Sequence, residues 1–140
     1  MVAARSLGKT TFLILSDTHD LDLDLLGSKH PLRQDLPRVD VVLHCGDLTY
    51  RTGEANYTKA IRLLGSFKAE LRLVIAGNHD VALDASQCPD YEINRYFEAM
   101  DSMTGRYAKE HGVMYLTEGV HEFTLKNGKD SCERRREVPC

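Results

Sequence analysis

Three short polar clusters hold the side chains with the most chemical capacity: Ser16-Asp17-Thr18-His19, Gly46-Asp47 and Gly77-Asn78-His79-Asp80. Carboxylate, imidazole and amide oxygen occur together without a thiolate. That donor set suits Mn, Fe or Zn at a catalytic site that retains water better than it suits a structural zinc cage. Asp17 and His19 flank a single residue at the end of an apolar run, so extended geometry would send both side chains from one face toward one cation. Asp47 follows Gly46, where a sharp turn would leave the carboxylate able to bridge two cations. Asn78, His79 and Asp80 place a neutral oxygen donor, an imidazole and a carboxylate able to orient that imidazole in consecutive positions. The first two clusters alone are weak, because Asp-x-His is as readily a capping aspartate and Gly-Asp is usually a turn, and the third is stronger. The three in order, each behind an apolar run, point to chemistry.

The runs are Thr11 to Leu15, Val39 to Cys45 and Leu71 to Ala76. They are rich in Val, Ile and Leu and do not alternate, the pattern of strands buried on both faces. Asp17 and Asp47 are 30 residues apart, and Asp47 and Asn78 are 31 apart. Both separations are close to the roughly 30 residues of a strand, crossover and parallel strand. Ligands of an open α/β sheet bind outside the carboxyl ends of its strands, so the three clusters should share one crevice. Ala60, Ile61, Leu63, Leu64 and Phe67 recur at helical spacing and predict a crossover helix over about 56–67. Asp22, Asp24, Gly27, Pro31 and Pro37 predict a loop between the first two strands. After Pro89, Asp90 is a candidate cap for a helix with Ile93, Tyr96, Phe97, Met100 and Met103 along one face. Val113 to Leu116 and His121 to Leu125 predict two further strands, the second entering an Asn127-Gly128 hairpin turn. No return strand is predicted, because KDSCERRREVPC at 129–140 has 7 charged residues of 12 and no apolar alternation. Arg134 to Arg136, flanked by Glu133 and Glu137, read as part of a solvated, disordered tail.

A chain of 140 residues that is 42% hydrophobic and 28% charged reads as one globular domain with a core of its own. A formal net charge of −3 offers no electrostatic footprint for general nucleic-acid binding. No apolar run approaches the roughly 20 residues of a membrane span. Arg5 and Lys9 before Phe12 to Leu15 fall short of a signal peptide, so a cytoplasmic location is expected. Cys45, Cys88, Cys132 and Cys140 show no CxxC spacing and read as reduced thiols, Cys45 as a small core residue. Of the remaining histidines, His44 reads as a core residue or one supporting the site, His111 as a helix C-terminal residue, and His30 and His121 as surface residues.

Ser-Asp-Thr-His at 16–19, His-Cys-Gly-Asp-Leu-Thr at 44–49 and Ala-Gly-Asn-His-Asp at 76–80 resemble the first three motifs of the calcineurin-like metallophosphoesterase superfamily, in particular its small metallophosphoesterase-domain proteins. The resemblance implies an α/β fold, the N-terminal part of an α/β/β/α sandwich whose first sheet is mostly parallel, over residues 1–128. It also implies two divalent metal ions and hydrolysis of a phosphomonoester or phosphodiester substrate. Asp17 and His19 would then bind the first metal, Asp47 would bridge, and Asn78 would bind the second metal and touch the phosphate. His79 would be the acid that protonates the leaving oxygen, with Asp80 orienting it. The family pattern continues with a later His and a Gly-His-x-His motif, and this chain carries neither. Residues 129–140 therefore read as something other than the family's continuation. The alternative expectation is a catalytically incomplete chain without turnover, at most a weak metal-binding or interaction module.

Overall fold

A computed structural model describes residues 9–22, 32, 35–51 and 53–126. The three apolar runs become strands β1 (Phe12–Leu15), β2 (Val39–His44) and β3 (Ala69–Val74). With β4 (Val113–Tyr115) they form a sheet of order β1-β2-β3-β4 in which every pairing is parallel. The α/β architecture with a parallel sheet is thus the one expected. Register follows in part from a reciprocal contact at the sheet's lower edge. The Asp40 carboxylate accepts from the Thr11 amide at 2.7 Å and its hydroxyl at 2.8 Å, while the Asp40 amide donates back to Thr11 Oγ1 at 3.0 Å. Those bonds, the backbone one foremost, hold the Asp40 carboxyl below the usual carboxylate range. At the other edge Leu15 lies opposite His44, and His44 opposite Val74, so the residues following each strand emerge side by side.

Helix α1 (Glu54–Ser66) makes the crossover from β2 to β3 and starts two residues earlier than the apolar spacing predicts. Gly53, at φ +146°, turns the chain into it, and Glu54 meets the positive end of the helix dipole in the first turn. Phe67 is extended and ends it. Three single 3₁₀ turns, Val81–Leu83, Ala85–Gln87 and Asp90–Glu92, lead from β3 into α2 (Ile93–Thr104), which α3 (Arg106–Glu110) follows. Asp90 does not cap α2. It opens the last 3₁₀ turn, and the N-cap position falls to Glu92, whose side chain makes no cap bond. On α2 Ala99 and Met103 are buried and Met100 packs against the core, while Phe97 of the expected stripe is 61% exposed.

Tyr57, Ile61 and Leu64 of α1, Met103 of α2 and Ala108 of α3 form one core with Val42, Val74 and Val113 of the sheet. Burying each large side chain there contributes about 1.5–3 kcal/mol. Phe12, Ile14 and Met114 point to the opposite side and remain exposed. On that same side Val41 and Leu73, in register with Phe12 and with Ile14 and Met114, are buried. The central strands β2 and β3 are therefore covered on both faces as their composition predicts, while the outer strands β1 and β4 leave theirs exposed. Two other expectations are corrected. Cys45 is exposed, because it leaves the end of β2 toward the loops. Residues 121–125 form no strand beyond an isolated bridge at Phe123. His30, Cys132, Cys140, the Asn127-Gly128 turn and the 129–140 tail lie outside the described residues. Among the described residues no helix is long and apolar enough to cross a membrane.

Candidate metal centre

Where β1 and β2 end, the backbone turns left-handed at residues other than glycine. Asp17 (φ 55°), His19 (φ 42°), Asp20 (φ 61°) and Asp47 (φ 57°) are the only non-glycine residues with positive φ among those described. The extended path expected for Asp17 and His19 is therefore not taken. Aspartate and histidine tolerate this region better than most residues, but each instance still costs on the order of 1 kcal/mol. Hydrogen bonds between the two loops hold it. The amides of Asp17, His19 and Asp20 donate to the carbonyls of Gly46, Asp47 and Leu48 at 3.0, 3.2 and 3.0 Å. Glycines admit the third loop: a Cβ on Gly46 would lie 2.4 Å from the Gly77 nitrogen, and one on Gly77 would lie 2.2 Å from Asp47 Oδ1.

Asp17, His19 and Asp47 each offer one donor atom, and the three atoms lie within 4.8 Å of one another. Ligand bonds near 2.1 Å place neighbouring donors roughly 3–4 Å apart, so a small contraction about a cation closes the set. His19 Nε2 is already 3.6 Å from Asp17 Oδ1, while its Nδ1 is buried with no hydrogen-bond partner. A histidine nitrogen grouped with two carboxylate oxygens fits a divalent metal. The Asp17 carboxyl is held below its usual range, first by a hydrogen bond from Ser16 and then by the charge of His19. Asp47 is nearly buried, and its Oδ1 accepts the His79 amide at 2.9 Å.

Asn78 and His79 are exposed on the loop after β3, between Gly77, which abuts Asp47, and the His79 amide that bonds to it. The His79 ring meets the His19 ring edge-on, with centroids 5.1 Å apart. Asp80 occupies a different place from the one expected. Its fully buried carboxylate accepts from the backbone amides of Leu48 (3.0 and 3.1 Å), Thr49 (3.2 Å) and Gly77 (2.8 Å). It ties the β2 loop to the β3 loop instead of orienting the His79 imidazole, because three backbone amides from the two loops converge on it.

His44 lies beneath the site and is buried, as expected. Its Nδ1 accepts from the Gly46 amide at 3.2 Å, so the ring proton sits on Nε2 and is donated to Thr18 Oγ1, 3.0 Å away. Burial pushes its pKa down to about 4 and keeps it neutral. Three contributors escaped the sequence reading: Thr18, Asp20, whose carboxylate accepts the Tyr50 amide at 3.1 Å, and Tyr50, whose ring stacks on His19. Their only signal was adjacency to the polar clusters.

A parallel sheet with a carboxylate and imidazole donor set at its carboxyl edge defines an α/β protein with a candidate cation site. The family model for calcineurin-like phosphoesterases matches residues 10–138, and the chain belongs to that family. Among individual proteins, metallophosphoesterase domain-containing protein 1 of Homo sapiens and that of Mus musculus are each 35% identical to it over 77 residues. The matched stretch is 55% of this chain and 21% of either relative, so the chain corresponds to about a fifth of their length.

Proposed function

We propose that the chain hydrolyses phosphate esters, monoesters or diesters, with one divalent cation held by Asp17, His19 and Asp47 and a second shared by Asp47 and Asn78. The observation that carries the reading is the three-donor cluster, built at a backbone cost on the facing ends of two parallel strands. Mn, Fe or Zn ions, when bound there, would supply Lewis-acid activation of water and neutralise phosphoryl charge. The chain's own residues do the rest. Asp47, pinned by the His79 amide, fixes the spacing between the β2 loop and the loop carrying Asn78. Asn78 presents its side chain to solvent, where a phosphate would arrive. As water adds to phosphorus and the bond to the alcohol oxygen breaks, the His79 imidazolium protonates that oxygen and is recharged by the proton that water gives up. The formal charge of −3 favours a small phosphate ester over nucleic acid in general as the partner.

A second reading, metal binding without turnover, is favoured by the short donor list of the second cation: of the residues proposed, only Asp47 and Asn78 would hold it. The test is release of an aryl alcohol from phosphomonoester and phosphodiester substrates by the purified chain with Mn²⁺. Slow, metal-dependent turnover that disappears in Asp47→Asn supports the hydrolase. Mn²⁺ binding without turnover selects the second reading, and turnover unchanged by Asp47→Asn overturns both.

A further inference from the structure

We propose that Tyr50 is a positioning residue that holds the His19 imidazole in the orientation in which it meets a cation; the inference rests on reading Asp17, His19 and Asp47 as a cation site. A metal-binding histidine is ordinarily fixed by a hydrogen bond from its second ring nitrogen to a carboxylate or carbonyl. His19 lacks one: its Nε2 faces Asp17 and its buried Nδ1 has no partner. Something else must set the ring. The Tyr50 ring lies flat against it, with centroids 3.9 Å apart and planes 7° from parallel. The His79 ring closes the edge of the pair, nearly perpendicular to both, at 5.1 Å from His19 and 6.0 Å from Tyr50.

The stack is placed by the backbone and not by chance contact of two surface rings. Asp20, next to His19, donates its amide to the Leu48 carbonyl and accepts the Tyr50 amide on its carboxylate. The turn carrying His19 and the segment carrying Tyr50 are thus bonded together through Asp20. Tyr50 is 63% exposed, so it contributes little to the core, and its ring packs on His19 and meets His79 edge-on. An offset ring stack of this kind resists rotation of the imidazole about its χ2 angle and lowers the ordering that metal binding would otherwise require.

The experiment combines Mn²⁺ titration calorimetry with proton NMR of the His19 ring, on the full 140-residue chain as wild type, Tyr50→Ala and Tyr50→Phe. Tyr50→Ala should weaken Mn²⁺ binding about 2- to 10-fold, the worth of an aromatic pair, while Tyr50→Phe, which keeps the ring and loses the hydroxyl, restores it. Thermal melts of the metal-free variants should agree with wild type. The His19 ring protons should show upfield ring-current shifts in wild type and Tyr50→Phe and lose them in Tyr50→Ala. Undiminished Mn²⁺ affinity in Tyr50→Ala overturns the proposal, and so does a Phe variant as weak as the Ala variant. Absence of Mn²⁺ binding by a wild-type chain that shows the ring-current shift would overturn the cation site itself. Mn²⁺ binding without the shift would overturn only the role given to Tyr50.

Discussion

Asp80 offers the clearest separation between a group that acts on a substrate and one that builds the site. Asp80→Ala removes the acceptor for three amides, the buried ones of Leu48 and Thr49 and the partly buried one of Gly77. Each buried donor left without a partner costs about 1–3 kcal/mol, and a water entering the vacated space recovers part of it. A loss of about 3–5 kcal/mol is expected, a large share of the roughly 5–15 kcal/mol that holds a domain folded. Asp80→Asn keeps one acceptor. Its oxygen should turn to Leu48 and Thr49, the side with two donors, and leave its NH₂ against the Gly77 amide, for a loss of about 1–3 kcal/mol. Urea unfolding followed by circular dichroism, in chelator at pH 7.5, measures both. The order wild type, Asn, Ala with unchanged m-values is the expected result. An Asp80→Ala protein as stable as wild type but defective in turnover would refute the reasoning and return Asp80 to the side of the His79 imidazole.

Three further outcomes follow from the same geometry. His44 has its folded pKa depressed to about 4 from 6.5, so the stability it contributes is fully present above pH 6.5 and is lost as pH falls toward 4. The loss is about 1.4 kcal/mol per pH unit in that window, and urea midpoints at pH 7.5 and 5 for wild type and His44→Asn should show the slope only in wild type. Gly77→Ala puts a Cβ 2.2 Å from Asp47 Oδ1, so it should destabilise the fold by about 1–3 kcal/mol and weaken Mn²⁺ binding in calorimetry. His79→Ala should lower turnover of an ester with a poor leaving group about 10²–10⁴-fold while Mn²⁺ affinity stays near wild type, and full activity in that variant removes His79 from the reaction.

The strands and their convergence were legible because each apolar run ends in a polar cluster and the clusters recur at the spacing of a strand-crossover-strand unit. α1 was legible from its apolar stripe, and α2 only in outline, since a stripe built on large residues passes over Ala99. The role of Asp80 was not legible: its partners are backbone amides, two of them 31 and 32 residues earlier in the chain, and an amide carries no side-chain signature. The left-handed turns were hidden for a similar reason, because aspartate and histidine are common in every conformation and only the facing loop makes φ > 0 tolerable at Asp17, His19 and Asp47. Residues 121–125 show why a short run before a turn signal is insufficient: a strand exists only if another pairs with it over several residues, and that depends on residues elsewhere. Tyr50 gave no sign, because its stacking is fixed by a bond to Asp20 that spans two loops.

The central claim is that Asp17, His19 and Asp47 together hold a divalent cation. Calorimetric titration of the chelator-stripped chain with Mn²⁺, repeated on Asp17→Asn, His19→Ala and Asp47→Asn, tests it most directly. Saturable binding by the wild-type chain should weaken in every variant by more than the 10- to 100-fold that loss of an outer partner typically costs, with Asp47→Asn the weakest. Binding that all three variants retain at wild-type affinity would contradict the claim.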